Sequence, residues 1–396
     1  MRWLAIGIFI LSSFCNYLDR QILSAAAPLI KTEFALNNQE FANLLSAFAL
    51  TYAFSSMFVG WWLDRIGLDK GIMISVAAWS AVATVTGFAS SAAMLLACRA
   101  ALGVAEAGSI PAFGKANARY LKSSELAIGT GLNQLGLSLA GVTAPFLVGS
   151  FGNEVGWRSI YVYAGLGGLL WIPLWWFTSR AIPGQAAVLA NAQNSMPIRA
   201  ILRDRRFLGI VAANILSMIL YSFWTSWTTL YFVQTHSMPQ ELANTRYALV
   251  PPIFATLGGL TGGAVVFRLM SRGVPVFRAR MTVCWAAGLA VLSTAALPFV
   301  HSAAAATVLI CASFFAVVAM SANVYAMPID LYGAGRAGFG VATLTAAFGL
   351  MQAVTSPLIG RAVDQSGFGP VCVVLSVFPL LACIALWWSH RDDAAA

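Results

Sequence analysis

Along most of the chain, apolar residues run for about 20 positions before charged or turn-forming residues interrupt them. Twelve such runs lie near 3–28, 41–63, 71–91, 92–117, 126–151, 159–178, 207–233, 247–270, 281–300, 303–328, 338–360 and 369–389. A helix of that length spans a hydrocarbon core of about 30 Å. The pattern therefore predicts an all-α polytopic membrane protein with twelve transmembrane helices. Only Ser90 and Ser91 mark the break between the third and fourth runs. The first run has almost no basic residues before it and outlasts a secretory signal, so it is expected to be retained.

Composition agrees, with 59% hydrophobic and 9% charged residues, against roughly 25% charged in soluble domains. Basic residues favour cytoplasmic connections. With the N-terminus inside, Arg65, Lys70, Lys115, Arg119, Arg199, Arg203, Arg205, Arg206, Arg278 and Arg280 are cytoplasmic, while Lys31, Arg158, Arg246 and Arg361 fall outside. Both termini are then cytoplasmic. The formal charge of +9 follows from this bias and implies no nucleic-acid partner; the expected surroundings are the lipid bilayer. All six cysteines fall within apolar runs and lack metal-ligand spacing, so no metal is expected. Without a nucleotide loop or a nucleophile and base pair, no cofactor and no enzyme activity are expected.

The longest polar connection, with Pro183, Gly184, Asn191, Gln193, Asn194 and Pro197, divides the helices six and six. It separates an N-terminal bundle, 1–180, from a C-terminal bundle, 207–396, with a cytoplasmic linker at 181–206. The halves echo one another, since Pro111, Pro145 and Gly156 recur as Pro328, Pro357 and Gly367 at offsets of 217, 212 and 211. A parallel repeat of six helices is the simplest account.

Four charges interrupt the apolar runs: Asp19 and Arg20 in the first, Arg99 and Glu106 in the fourth. Each costs at least about 2.5 to 3.5 kcal/mol at membrane depth, which marks a functional site. Arg99 and Glu106 are two helical turns apart, about 10 Å, on one face. Asp19, Arg20 and Arg99 are expected at a shared depth, with Glu106 nearer the middle. His236, His301 and His390 fall in loops or at ends. Proton coupling would therefore use Asp19 and Glu106, with an arginine alternating between carboxylate and substrate. Arg20, whose planar fork suits carboxylates, is the expected anion ligand. The plainer alternative is a permanently neutralised cluster that only holds helices together. The second half has no comparable charge and offers neutral groups: Asn214, Tyr221, Trp224 and Trp227 in helix seven, Asn323 in helix ten and Gln352 in helix eleven.

Gly60-Trp61-Trp62-Leu63-Asp64-Arg65-Ile66-Gly67 resembles the Gly-x-x-x-Asp-Arg-x-Gly loop of the major facilitator superfamily. The resemblance implies two pseudo-symmetric six-helix bundles that rock to give alternating access. In it Gly60 and Gly67 permit close approach and a tight turn, and Asp64 and Arg65 bind the other half in one state and release it in the other. Leu68-Asp69 departs from the basic residues usual there, and the second copy, Gly263 to Arg268, has Phe267 at the acidic position. Asn16-Tyr17-Leu18-Asp19-Arg20 and the run from Arg99 to Gly108 resemble the anion:cation symporters, the hexuronate transporters among them. That likeness implies that Tyr17, Tyr52 and Gln134 face the substrate. The expected protein is a proton-coupled symporter of a small organic anion, a sugar acid such as a hexuronate or aldonate, working as a monomer in a bacterial inner membrane. The runner-up is a proton-coupled antiporter of drugs or other neutral or cationic compounds, against which two membrane arginines argue.

Overall fold

The computed structural model describes residues 1–122, 125–182 and 197–391. Among these there is no strand. The N-terminal half runs through α1 (Arg2–Ala25), α2 (Ala27–Phe34), α3 (Asn38–Ile66), α4 (Leu68–Thr86), α5 (Ala92–Glu106), α6 (Ser109–Tyr120), α7 (Leu126–Phe151) and α8 (Gly156–Ala181). After α9 (Ile198–Arg203) come α10 (Arg205–Thr235), α11 (Gln240–Leu242), a π-helical turn (Ala243–Ala248) and α12 (Pro251–Ser271). The chain continues as α13 (Val276–Val291), a 3-10 segment (Leu292–Phe299), α14 (Ala303–Tyr332), α15 (Ala334–Ser366) and α16 (Phe368–Ser389). Most of the expected linker, 183–196, lies outside the described residues.

Ten helices among the described residues are long and apolar enough to cross a membrane, and the bent pair Asn38–Ser56 and Phe58–Ile66 brings the number to 11. The remaining expected span is α1, 24 residues long. It is the least apolar of the set because Asn16, Asp19, Arg20 and Gln21 all lie on it, and all but Arg20 are buried.

Local chemistry sets the boundaries. Asn37 and Glu40 form a reciprocal capping box that starts α3. Ser91 accepts from the Met94 amide at 3.2 Å, so the break foreseen at Ser90 and Ser91 is an N-cap. The first run does not continue to 28. It breaks at Ala26, and Pro28 occupies the first turn of α2, where a missing N–H costs nothing. The fourth span is likewise interrupted, since α5 ends at Glu106 and α6 begins at Ser109.

The repeat is visible in the backbone. Gly156 and Gly367, 211 residues apart, both take positive φ, 77° and 73°, at the entry to the last helix of each half. An ion pair recurs at the same offset with its charges exchanged: Asp69 with Arg119 at 2.7 Å in the first half, Arg280 with Asp330 in the second.

The chain forms two compact units. The first comprises Met1–Val188, Thr228–Leu249 and Ser356–Arg361. In it, Asn244 donates to the Ala25 carbonyl at 3.0 Å, the Leu29 amide donates to Gln240 at 3.2 Å, and Asn38 pairs with Gln234. The second comprises Leu189–Trp227, Val250–Thr355 and Ala362–Ala396. There Trp224 donates to Ser313 at 3.0 Å, and Cys383 donates to the Cys284 carbonyl at 3.1 Å.

In the first unit α3 and α5 touch backbone to backbone at Gly103. A Cβ there would meet the Phe48 carbonyl and the Thr51 hydroxyl. Thr51 secures the approach by donating to the Ala100 carbonyl at 2.8 Å. Glu33, on α2 and outside the spans, accepts from Trp157 Nε1 at 2.7 Å and from Arg158 at 2.5 Å. Burial alone would raise the Glu33 pKa, but these two hydrogen bonds and the Arg158 charge outweigh it and hold the carboxyl below the ordinary glutamate range.

Two outcomes follow. Gly103→Ala should destabilise the purified protein by about 1 to 3 kcal/mol, because α3 backbone cannot yield as a side chain can. Gly131→Ala, facing open space, should not. Equal thermal unfolding of the two variants would contradict the tight α3/α5 contact. For Glu33 the folded carboxyl is the stronger acid, so its stabilisation is complete above the ordinary glutamate range and disappears as pH falls through its lowered folded value. Melting curves of Glu33→Gln should therefore lie below wild type at neutral pH and converge with it in acid. A constant gap across that range would show that Glu33 contributes no proton-linked stability.

Candidate functional site

Within the first unit, α1, α3 and α5 bring the four membrane charges together. Arg20 Nε donates to Glu106 Oε2 at 2.5 Å, and Arg20 Nη2 donates to Asn16 Oδ1 at 3.2 Å. Asn16 precedes Arg20 by one turn and so shares its face. Asp19 lies within electrostatic reach of Glu106, Arg99 and Arg20. The charges balance, two carboxylates against two guanidiniums, as a site shielded from water requires.

Exposure is unequal. Glu106 is 0% exposed and Asp19 and Arg99 are each 2%, whereas the Arg20 side chain is 21% exposed. Arg20 is thus the most exposed member of the cluster. Several polar atoms of the cluster are buried with no hydrogen-bond partner among the described residues: Arg99 Nε and Nη1, Asp19 Oδ1 and Glu106 Oε1. Such groups are costly unless function retains them.

Aromatic rings line the guanidiniums. Arg20 Cζ lies 4.6 Å from the Tyr52 ring centre and 4.7 Å from that of Phe48. Arg99 Cζ lies 4.8 Å from the same Phe48 ring. The buried phenol of Tyr161 donates to the Asp19 backbone carbonyl at 3.4 Å and stands beside Arg99. The geometry thus joins Asp19, Arg20, Arg99, Glu106 and Tyr52, and adds Asn16, Phe48 and Tyr161. An aromatic pair four apart on the helix that carries Tyr52 was a readable signal for Phe48. Nothing in the text of α8 singled out Tyr161. Tyr17 is half-buried on α1, and Gln134 is exposed on α7.

The second unit treats its expected neutral residues differently. Asn214 is fully buried and donates to the Leu344 carbonyl at 2.9 Å, tying α10 to α15. Tyr221 packs edge-on against Phe314 at 5.9 Å. Asn323 accepts from Arg280 Nη1 at 3.1 Å and donates to the Ala319 carbonyl at 2.9 Å. Arg280 lies near the start of α13, next to Asn323. α13 begins earlier than its apolar run, so Arg280 sits inside the helix, only 15% exposed and paired with Asp330. His390, expected at an exposed end, is buried and stacks on Phe277 at 4.3 Å.

At the turn between α3 and α4, Asp64 pairs with Lys115 of α6, and Arg65 lies over Trp61 at 4.1 Å. Gly67 takes a φ of 84°, the left-handed turn foreseen there, while a Cβ on Gly60 would meet open space.

A family model described as Major Facilitator Superfamily matches residues 9–344. The hexuronate transporter of Escherichia coli K12 is 26% identical over 418 aligned positions, covering 100% of this chain and 95% of that protein. A probable sulfoacetate transporter of Cupriavidus necator is 26% identical, covering 92% of this chain and 88% of its own. Among solved structures, a bacterial homologue of the human lysosomal transporter Spinster, in an inward-facing and unoccupied conformation, superposes with a TM-score of 0.80 at 19% identity, covering 100% of this chain and 98% of that one. The helical order, the six-helix repeat and the family match over most of the length agree: the chain belongs to the Major Facilitator Superfamily of membrane transporters.

Proposed function

We propose that this transporter carries a small organic anion, a sugar acid such as a hexuronate or aldonate, together with protons, by alternating access of its two repeats in a bacterial inner membrane. The carrying observation is the Arg20–Glu106 pair, in which a partly exposed guanidinium is held at 2.5 Å by a fully buried carboxylate. A substrate carboxylate can take the planar fork of Arg20 in place of Glu106. Glu106 is then left buried without its partner, and neutralisation by a proton is the least costly outcome. Substrate and proton loading are thereby linked through one side chain. Asp19, buried beside Arg99, is the second proton-accepting candidate, and Arg99 supplies its countercharge.

The anion-carrying relatives favour this reading, since the hexuronate and sulfoacetate transporters bear names of acidic substrates. An exporter of cations would need a carboxylate in the accessible position. Here the accessible member is an arginine. Tyr52 and the neutral residues Tyr17 and Gln134 remain the proposed shape-reading groups, joined by Asn214, Tyr221 and Asn323. Asn214 and Asn323 would act through the helix ties and the Arg280 contact described above. Asp64, Arg65 and Gly67 remain the proposed gating elements, and a monomer the proposed working unit.

Arg20→Lys should keep the fold, because an ammonium still neutralises Glu106, yet lose at least about tenfold in affinity for the anion, because a point charge cannot reproduce the fork. Calorimetric titration with galacturonate and related sugar acids would measure this, and wild-type affinity in the lysine variant would reduce Arg20 to a generic charge. Glu106→Gln and Asp19→Asn each fix a carboxyl in a neutral form. In vesicles both should retain substrate counterflow and lose accumulation driven by a pH gradient. Normal uphill uptake by both variants would remove these residues from the proton path.

A further inference from the structure

The side chain of Phe48 has no polar atom, yet among the described residues it is the one ring shared by two arginines, 4.7 Å from Arg20 Cζ and 4.8 Å from Arg99 Cζ. It is 6% exposed. Tyr52, one turn along α3, stacks on it at 5.7 Å with planes 23° apart, and lies 4.6 Å from Arg20. The backbone is fixed as well, since the Phe48 carbonyl lies where α5 passes at Gly103.

Two cations near one another in a region shielded from water repel strongly unless negative groups surround both. The carboxylates meet part of that need. Arg99, however, has two buried nitrogens without a hydrogen-bond partner among the described residues. The Phe48 ring offers its guanidinium a negative face beside Asp19 and Tyr161. Arg20 faces the complementary problem. Its ion pair with Glu106 must loosen whenever a substrate takes the fork, and the ring contacts are those that do not depend on the state of Glu106.

We propose that Phe48 is a positioning residue: its π-face, extended by Tyr52, contacts both Arg20 and Arg99 and keeps the Arg20 fork in place for the anion while it changes partner. This rests on Arg20 being the anion ligand. A packing role alone would need the volume of the ring; the proposed role needs its negative face.

The two are separable by fluorination, which withdraws charge from the face with little change of shape. Mono-, di- and trifluorophenylalanine would be incorporated at position 48 of the full-length protein, with the same series at Phe9 as control. Phe9 packs edge-on against Trp175 at 5.1 Å in the same unit. Affinities for D-galacturonate, D-glucuronate and D-galactonate would be measured by calorimetry. Affinity for the bound acids should fall stepwise with each fluorine at position 48, to roughly tenfold weaker for the trifluoro variant, and remain level at position 9. Level affinity across both series, with the unsubstituted protein binding normally, would overturn the positioning role and leave the anion reading intact. An equal fall in both series would overturn it too, as a general packing effect. Failure of the unsubstituted protein to bind any of the acids would overturn the anion reading and this inference with it.

Discussion

A carboxylate buried in a membrane protein cannot remain charged without a countercharge, and Glu106 has Arg20. Removing one member of such a pair typically costs about 3 to 5 kcal/mol, because the other is left uncompensated. That penalty constrains every state the transporter visits. On the proposed reading, an anion that draws Arg20 away brings its own negative charge and leaves Glu106 to be neutralised by a proton, so coupling needs no separate device. The pair is unequal in exposure: the arginine is partly accessible and the carboxylate is not.

The scaffold serves this pair by bringing helices unusually close. Gly103 lets α5 lie against the backbone of α3, which sets Arg99 over the Phe48 ring. The interruption of the fourth span directly after Glu106 places the carboxylate at a helix end rather than in mid-helix. α1 carries so much polarity that its apolar signal is the weakest of the spans, and the burial of Asn16 and Asp19 shows that this polarity faces protein. The second unit uses its charge in another way. Arg280 and Asp330 occupy the repeat positions of Asp69 and Arg119 with signs exchanged, so the duplicated framework keeps an ion pair while changing its polarity.

Much of this was legible in the text of the chain. Runs of apolar residues define helices without help from tertiary structure, because a bilayer demands length and apolarity from each segment independently. For the same reason Asp19, Arg20, Arg99 and Glu106 stood out, and the structure gathers all four. Partner identity was harder. The seven-residue spacing put Arg99 and Glu106 on one face but could not say that Arg20, 86 positions earlier in the chain, would take Glu106. Aromatics give little contrast against an apolar background: only the four-residue spacing from Tyr52 marks Phe48, and nothing marks Tyr161. α13 starts at Val276, ahead of its apolar run, which hid the Arg280–Asn323 contact.

The central claim is that substrate and proton exchange through Arg20 and Glu106. Binding calorimetry of one sugar acid in buffers of different ionisation enthalpy, near neutral pH, tests it most directly because it counts protons at the moment of binding. Wild-type protein should take up protons on binding, about one per site at most, and Glu106→Gln should bind without that uptake. Equal binding enthalpies in all buffers, with full affinity, would mean that the anion binds without a proton and would contradict it.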